Sequence, residues 1–133
     1  VSERTGIRSS HYLIDDRGQT YAFSVETVAR LIAWGKAMEV QRRVARVVTA
    51  NGYRVSTVFL GTDHGYDNGE PILFETMIFG GKFSGIDEYQ ERCSTLAEAA
   101  EQHLRAVNIA LAEPEDGGER DDASQGPSSK VDD

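Results

Sequence analysis

A chain of 133 residues, 39% of them hydrophobic, has the size of one domain that buries its own core without a metal or disulfide. Its formal charge of −8 argues against a nucleic-acid binder of the phosphate-neutralising kind, which needs clustered Lys and Arg, and no apolar run reaches membrane-spanning length. The single Cys93 has no internal partner and the first residues lack the basic-then-apolar order of a secretory signal, so the expected setting is the reducing cytoplasm, away from membranes.

Residues 1–10 are polar and aperiodic and read as a flexible lead-in. His11 to Phe23 reads as a hairpin turning at Asp15-Asp16-Arg17-Gly18. Ser24 is the expected cap of a helix whose buried stripe is Val25, Val28, Ala29, Leu31 and Ile32, closed by Trp34 and stopped at Gly35; 36–42 is ambiguous. Val44–Thr49 and Arg54–Leu60 are β-branched and flank Asn51-Gly52, the pair favoured in a two-residue hairpin turn. A glycine-rich loop, 61–71, leads to a strand over Ile72–Phe79, and a short edge strand is expected over Tyr89–Cys93. Thr95 and Glu98 form a capping box ahead of a helix with Leu96, Ala100, Leu104, Val107 and Leu111 as its buried stripe.

From Glu113 onward eight acids face two bases, so 113–133 carries −6 and the rest of the chain only −2. That stretch holds almost nothing apolar and reads as a disordered acidic tail beyond a single domain over 11–112. The expected fold is α+β: an antiparallel sheet of about four to six strands built on two hairpins, with two helices on one face.

The central segments carry a resemblance. The string Arg54-Val55-Ser56-Thr57-Val58-Phe59-Leu60-Gly61, then Asp63-His64, then Leu73-Phe74-Glu75-Thr76-Met77-Ile78-Phe79-Gly80-Gly81, resembles a family of small uncharacterised proteins of tailed bacteriophages and actinobacterial prophages. Tyr89-Gln90-Glu91-Arg92 and Ser94-Thr95 are similar to the same family's C-terminal pattern, with Cys93 and Leu96 where the family has aromatic residues. The resemblance implies a viral accessory origin and no particular activity.

A two-residue turn at Asn51-Gly52 pairs Arg46 with Thr57, and a symmetric loop after Leu60 pairs Thr57 with Glu75. Arg46, Thr57 and Glu75 then form a polar row on one face, while Ala45, Val47, Val58, Leu60, Ile72, Phe74 and Ile78 form the face that receives the helices. The row reads either as a cross-strand ion pair or as the centre of a protein interface. Asp63, His64 and Tyr66 on the loop are candidate binding residues, because loops on rigid strands commonly carry them. Asp63, His64, Asp67 and Glu70 match no calcium or zinc spacing, so no metal or cofactor is expected. Cys93 and His103 read as packed side chains. Gly80-Gly81-Lys82 lacks the rest of a phosphate loop, and Arg42-Arg43-Arg46 is either an anion contact or a cluster answering nearby acids. The favoured function is non-enzymatic binding of a host or phage protein or a small ligand, with self-association a further option. The alternatives are a small hydrolase or metal-dependent enzyme using Asp63, His64 and Glu75, and a minor virion or assembly component.

Overall fold

The computed structural model describes residues 10–65, 69–84 and 88–117. Over that range the chain forms two antiparallel sheets, of two and four strands, and two helices, as the α+β reading expects. β1 (Tyr12–Ile14) and β2 (Thr20–Ala22) make the small sheet. Asp15 closes its turn: Oδ1 accepts from the amides of Arg17 and Gln19, each at 2.9 Å.

α1 (Val28–Gln41) differs from its expected form at both ends. Its cap is Thr27, whose Oγ1 accepts from Arg30 N at 3.1 Å, and the helix runs through Gly35 to Gln41. The side turned to the core is Trp34, Ala37, Met38 and Gln41, whereas Val28, Leu31 and Ile32 are exposed. The C-terminal half fixes this rotation. Trp34 Nε1 donates to Tyr12 O at 3.1 Å, and the Gln41 side-chain amide exchanges two bonds of 2.9 Å with the backbone of Ile14, pairing with β1 as a further strand would. Gly35 needs no special conformation, and a Cβ there would meet nothing within 4 Å. Gly35→Ala is therefore expected to raise stability by about 0.5–1 kcal/mol, read as a higher urea midpoint at unchanged slope.

The larger sheet has the order β3 (Arg43–Val48), β4 (Arg54–Phe59), β5 (Phe74–Phe79), β6 (Gln90–Cys93). The reversal between β3 and β4 is not the expected two-residue turn. Thr49 N donates to Tyr53 O at 2.7 Å, so Ala50, Asn51 and Gly52 form a three-residue loop with Gly52 at φ 98°. The Asn51 side chain serves the end of the second helix instead: Nδ2 donates to the carbonyls of Ala110 at 2.8 Å and Glu113 at 3.0 Å. The longer loop shifts the register by one, so Arg46 opposes Ser56 and Val47 opposes Val55. The second register shifts as well, Thr57 opposing Thr76, because the loop after β4 closes through Leu60 N to Leu73 O at 2.7 Å and not at Gly61 and Pro71.

α2 (Leu96–Leu111) opens on the expected capping box, Thr95 Oγ1 accepting from Glu98 N at 3.1 Å and Glu98 Oε1 from Thr95 N at 3.2 Å. Its buried side is Ala99, Gln102, Ala106 and Ala110 rather than the leucine stripe; Leu104 is 64% exposed. The covered sheet face already supplies bulk in Phe59, Phe74 and Ile78, with Tyr53 and Phe83 at its end, so alanines face it, and the larger Gln102 reaches the small threonines of the middle row. Past α2 the chain folds back on the β3–β4 loop, where Tyr53 OH donates to Pro114 O at 2.9 Å and Asp116 N to Asn51 O at 2.8 Å. Glu113 to Asp116, expected in the disordered tail, are thus part of the folded domain, and the tail's 118–133 lie outside the described residues. No helix among the described residues is long and apolar enough to cross a membrane.

Candidate functional site on the open sheet face

The register divides the side chains of the four-stranded sheet. Under α2 run the rows Val47–Val55–Ile78, Ala45–Thr57–Thr76–Glu91 and Phe59–Phe74–Cys93. On the opposite face run Val48–Arg54–Phe79, Arg46–Ser56–Met77–Gln90 and Arg43–Val58–Glu75–Arg92. A β-bulge between Arg43 and Ala45 sets Val44 toward the core and so brings Arg43, three positions before Arg46, to the same face as Arg46.

The expected Arg46, Thr57, Glu75 row does not exist, since both pairings move by one. Arg46 and Glu75 stay on one face because the two shifts together move β5 by two positions relative to β3, which puts Arg46 in line with Met77, whereas Thr57 is fully buried on the other face. Glu75 is held by Arg92, whose Nε lies 3.0 Å from Glu75 Oε2, and not by Arg46. Of the seven residues expected to face the helices, Ala45, Val47, Phe74 and Ile78 do so, and Val58 lies on the open face.

Thr57 sits in a buried polar chain beneath α2. Gln102 Nε2 donates to Glu91 O at 3.0 Å and to Thr76 Oγ1 at 2.9 Å, Thr76 Oγ1 lies 2.6 Å from Thr57 Oγ1, and Thr57 Oγ1 lies 2.7 Å from His103 Nδ1. Burial lowers the pKa of His103, which favours the neutral ring. A hydroxyl beside an imidazole is the geometry of an activated nucleophile, but Thr57 and Thr76 are both 0% exposed, so no substrate reaches them.

The open face holds the unused chemistry. Arg42, Arg43, Arg46 and Arg54 line one groove of about 700 Å³ with Val58, Phe79 and a single acid, Glu39. Arg54 stacks on Phe79, its Cζ 4.3 Å from the ring centroid. None of the four arginines forms an ion pair with a described residue. The sequence showed Arg42, Arg43 and Arg46 as a cluster; the bulge and the true register, neither marked by a residue pattern, add Arg54 and align them.

The described ends of the loop after β4 are held together by one side chain. Asp63 Oδ1 accepts from Gly65 N at 2.8 Å and Ile72 N at 2.9 Å, which ties the loop's two ends together. His64 Nε2 lies 3.1 Å from Thr62 Oγ1, and Tyr66 lies outside the described residues. Asp63 and His64 share no hydrogen bond with Glu75, which is engaged on the open face. Among the described residues no three His, Cys, Asp or Glu side chains gather where a metal ion is held. Burial pushes the Cys93 thiol up to about 11, which leaves it protonated at neutral pH and a poor nucleophile.

Comparison of the chain with protein-family models, with curated proteins and with solved structures gave no match.

Proposed function

We propose that this protein is a non-enzymatic binding protein, an accessory of the tailed-phage and prophage kind its sequence resembles, which holds an acidic segment of a host or phage protein on its open sheet face. The observation that carries this reading is the groove with Arg42, Arg43, Arg46 and Arg54 converging without an ion pair to any described residue, in a chain of net charge −8. Like charges gathered without neutralisation repel one another, and a carboxylate-bearing partner relieves that repulsion through the paired donors of each guanidinium. Val58 and Phe79 add apolar contact between the charges. The net negative charge of the whole chain disfavours a long nucleic acid on the same arginines. An open sheet face suits an extended segment better than a small ligand, which binds tightly where most of its surface is enclosed. The hydrolase alternative needs Asp63, His64 and Glu75 to reach one atom, and each is engaged elsewhere.

Fluorescence anisotropy with a labelled decaglutamate peptide tests the reading. The wild-type chain is expected to bind at about 20 mM salt and to release the peptide near 0.5 M. Arg43→Ala/Arg46→Ala/Arg54→Ala is expected to bind about tenfold or more weakly with an unchanged unfolding midpoint. Equal binding by the folded triple variant would sink the reading.

A further inference from the structure

β3, which carries Arg43 and Arg46 into the groove, is an edge strand that pairs with β4 alone among the described residues. One bond fixes which of its backbone groups are free. Thr49 N donates to Tyr53 O at 2.7 Å, and bonded pairs alternate along an antiparallel ladder, so Val47 and Ala45 turn their backbone groups to β4. Arg46 and Val48 turn their N–H and C=O groups outward, where no described residue bonds them. The edge lacks the usual guards: its bulge lies only at the start, between Arg43 and Ala45, and the strand holds neither Pro nor Lys. α2 packs on β4, β5 and β6, and Val47 stays 38% exposed at the uncovered end of the row Val47–Val55–Ile78.

A second copy of the chain fits this edge poorly. Two β3 strands paired antiparallel about Arg46 or Val47 set the two Arg46 side chains opposite or about two residues apart, where like charges oppose the pairing. An acidic segment meets the same strand with the opposite charge. Directly opposed residues share a face, so a segment laid along β3 puts the side chain opposite Arg46, and every second one from it, on the open face with the arginines. The intervening side chains fall beside Val47 and Ala45 and prolong the apolar row.

We propose that the acidic partner binds as a fifth strand on the free edge of β3, and that the pattern recognised is a carboxylate at every second position with apolar residues between. The proposal rests on the groove reading above and adds the partner's conformation and sequence pattern. Main-chain bonds to Arg46 and Val48 supply affinity without regard to sequence, and the two unlike faces of the edge supply the pattern.

The experiment titrates the full chain at low salt with a labelled decapeptide of alternating Glu and Val, and with its block isomer, a run of glutamates followed by a run of valines, of equal charge and composition. The alternating peptide is expected to bind about threefold to tenfold more tightly. Two further forms of it are N-methylated at every glutamate or at every valine. In an added strand one of these sets of amides faces β3 and the other faces away, so one methylated peptide is expected to bind about tenfold or more weakly and the other within about threefold of the parent. Loss on methylating the glutamates marks antiparallel addition, and loss on methylating the valines marks parallel addition. Equal effects of the two methylations, or no preference over the block isomer, overturn strand addition and leave the groove reading standing as long as decaglutamate binds. No binding of any of these peptides or of decaglutamate overturns both.

Discussion

Gly61→Ala is expected to cost about 2–4 kcal/mol of folding stability, the sum of a strained backbone and an overfilled contact. Gly61 stands at φ 74°, the left-handed region that a side chain disfavours, and its Cβ position lies 2.5 Å from Met38 Sδ, 2.6 Å from Met38 Cε and 3.0 Å from Trp34 Cζ2. A methionine tip normally yields, but Met38 is 2% exposed and packed among Tyr12, Leu13, Phe59 and Phe74. Trp34 is pinned by its bond to Tyr12 O, and Tyr12 N donates to Gly61 O at 2.9 Å, so neither side can retreat alone. This glycine is thus where α1, the small hairpin and β4 meet. Denaturant unfolding of Gly61→Ala, Met38→Ala and the double variant checks the cause. A crowded contact makes the double variant cost clearly less than the two single changes together; strict additivity would show that backbone strain alone is at work.

Local chemistry was readable from the sequence, and the alignment of distant parts was not. The Asp15 turn and the Thr95–Glu98 capping box depend on neighbours in the chain, and both stand where the residue pattern places them. Asn51-Gly52 also marked a reversal, but a single extra loop residue decides its register, and that choice is coupled to a carbonyl at Ala110, far along the sequence. A register error of one exchanges the faces of a strand, and for this reason Thr57 seemed a surface residue while Ser56 was missed. Counting leucines misplaced the buried side of α2, because that side sets alanines against the aromatic residues and Gln102 against the threonine row. The α1 stripe failed for a related reason: Gln41 and Trp34, polar at one atom each, fix the helix more firmly than three aliphatic side chains that find nothing to cover them.

Thr57→Val should destabilise the protein by about 2–3 kcal/mol although it keeps the shape of the side chain, because it leaves the buried Thr76 hydroxyl and the half-buried His103 Nδ1 without their partner. In the wild type Gln102 donates to Thr76, and every hydrogen in the chain is used if Thr76 donates to Thr57 and Thr57 to His103 Nδ1. Valine can neither accept from Thr76 nor donate to the ring. Thr57→Ser, which keeps the hydroxyl, separates this loss from that of a methyl group and should cost about 1 kcal/mol. The same chain ties stability to pH. Protonated His103 would become a donor at Nδ1, Thr57 would turn toward Thr76, and the Thr76 hydrogen would point at the donating amide of Gln102, which its bond to Glu91 O holds in place. Burial holds the folded His103 below the ordinary 6.5, and in the window between the two values the unfolded chain binds more protons. Stability from this group is complete above pH 6.5 and declines as pH falls below it. Melting temperatures between about pH 7.5 and 5 should show that decline in the wild type and a flatter profile in His103→Asn, whose side chain carries no titrating proton. Parallel profiles for the two proteins would mean that His103 does not report on the Thr57–Thr76 chain, and that the acid sensitivity belongs to carboxylates elsewhere.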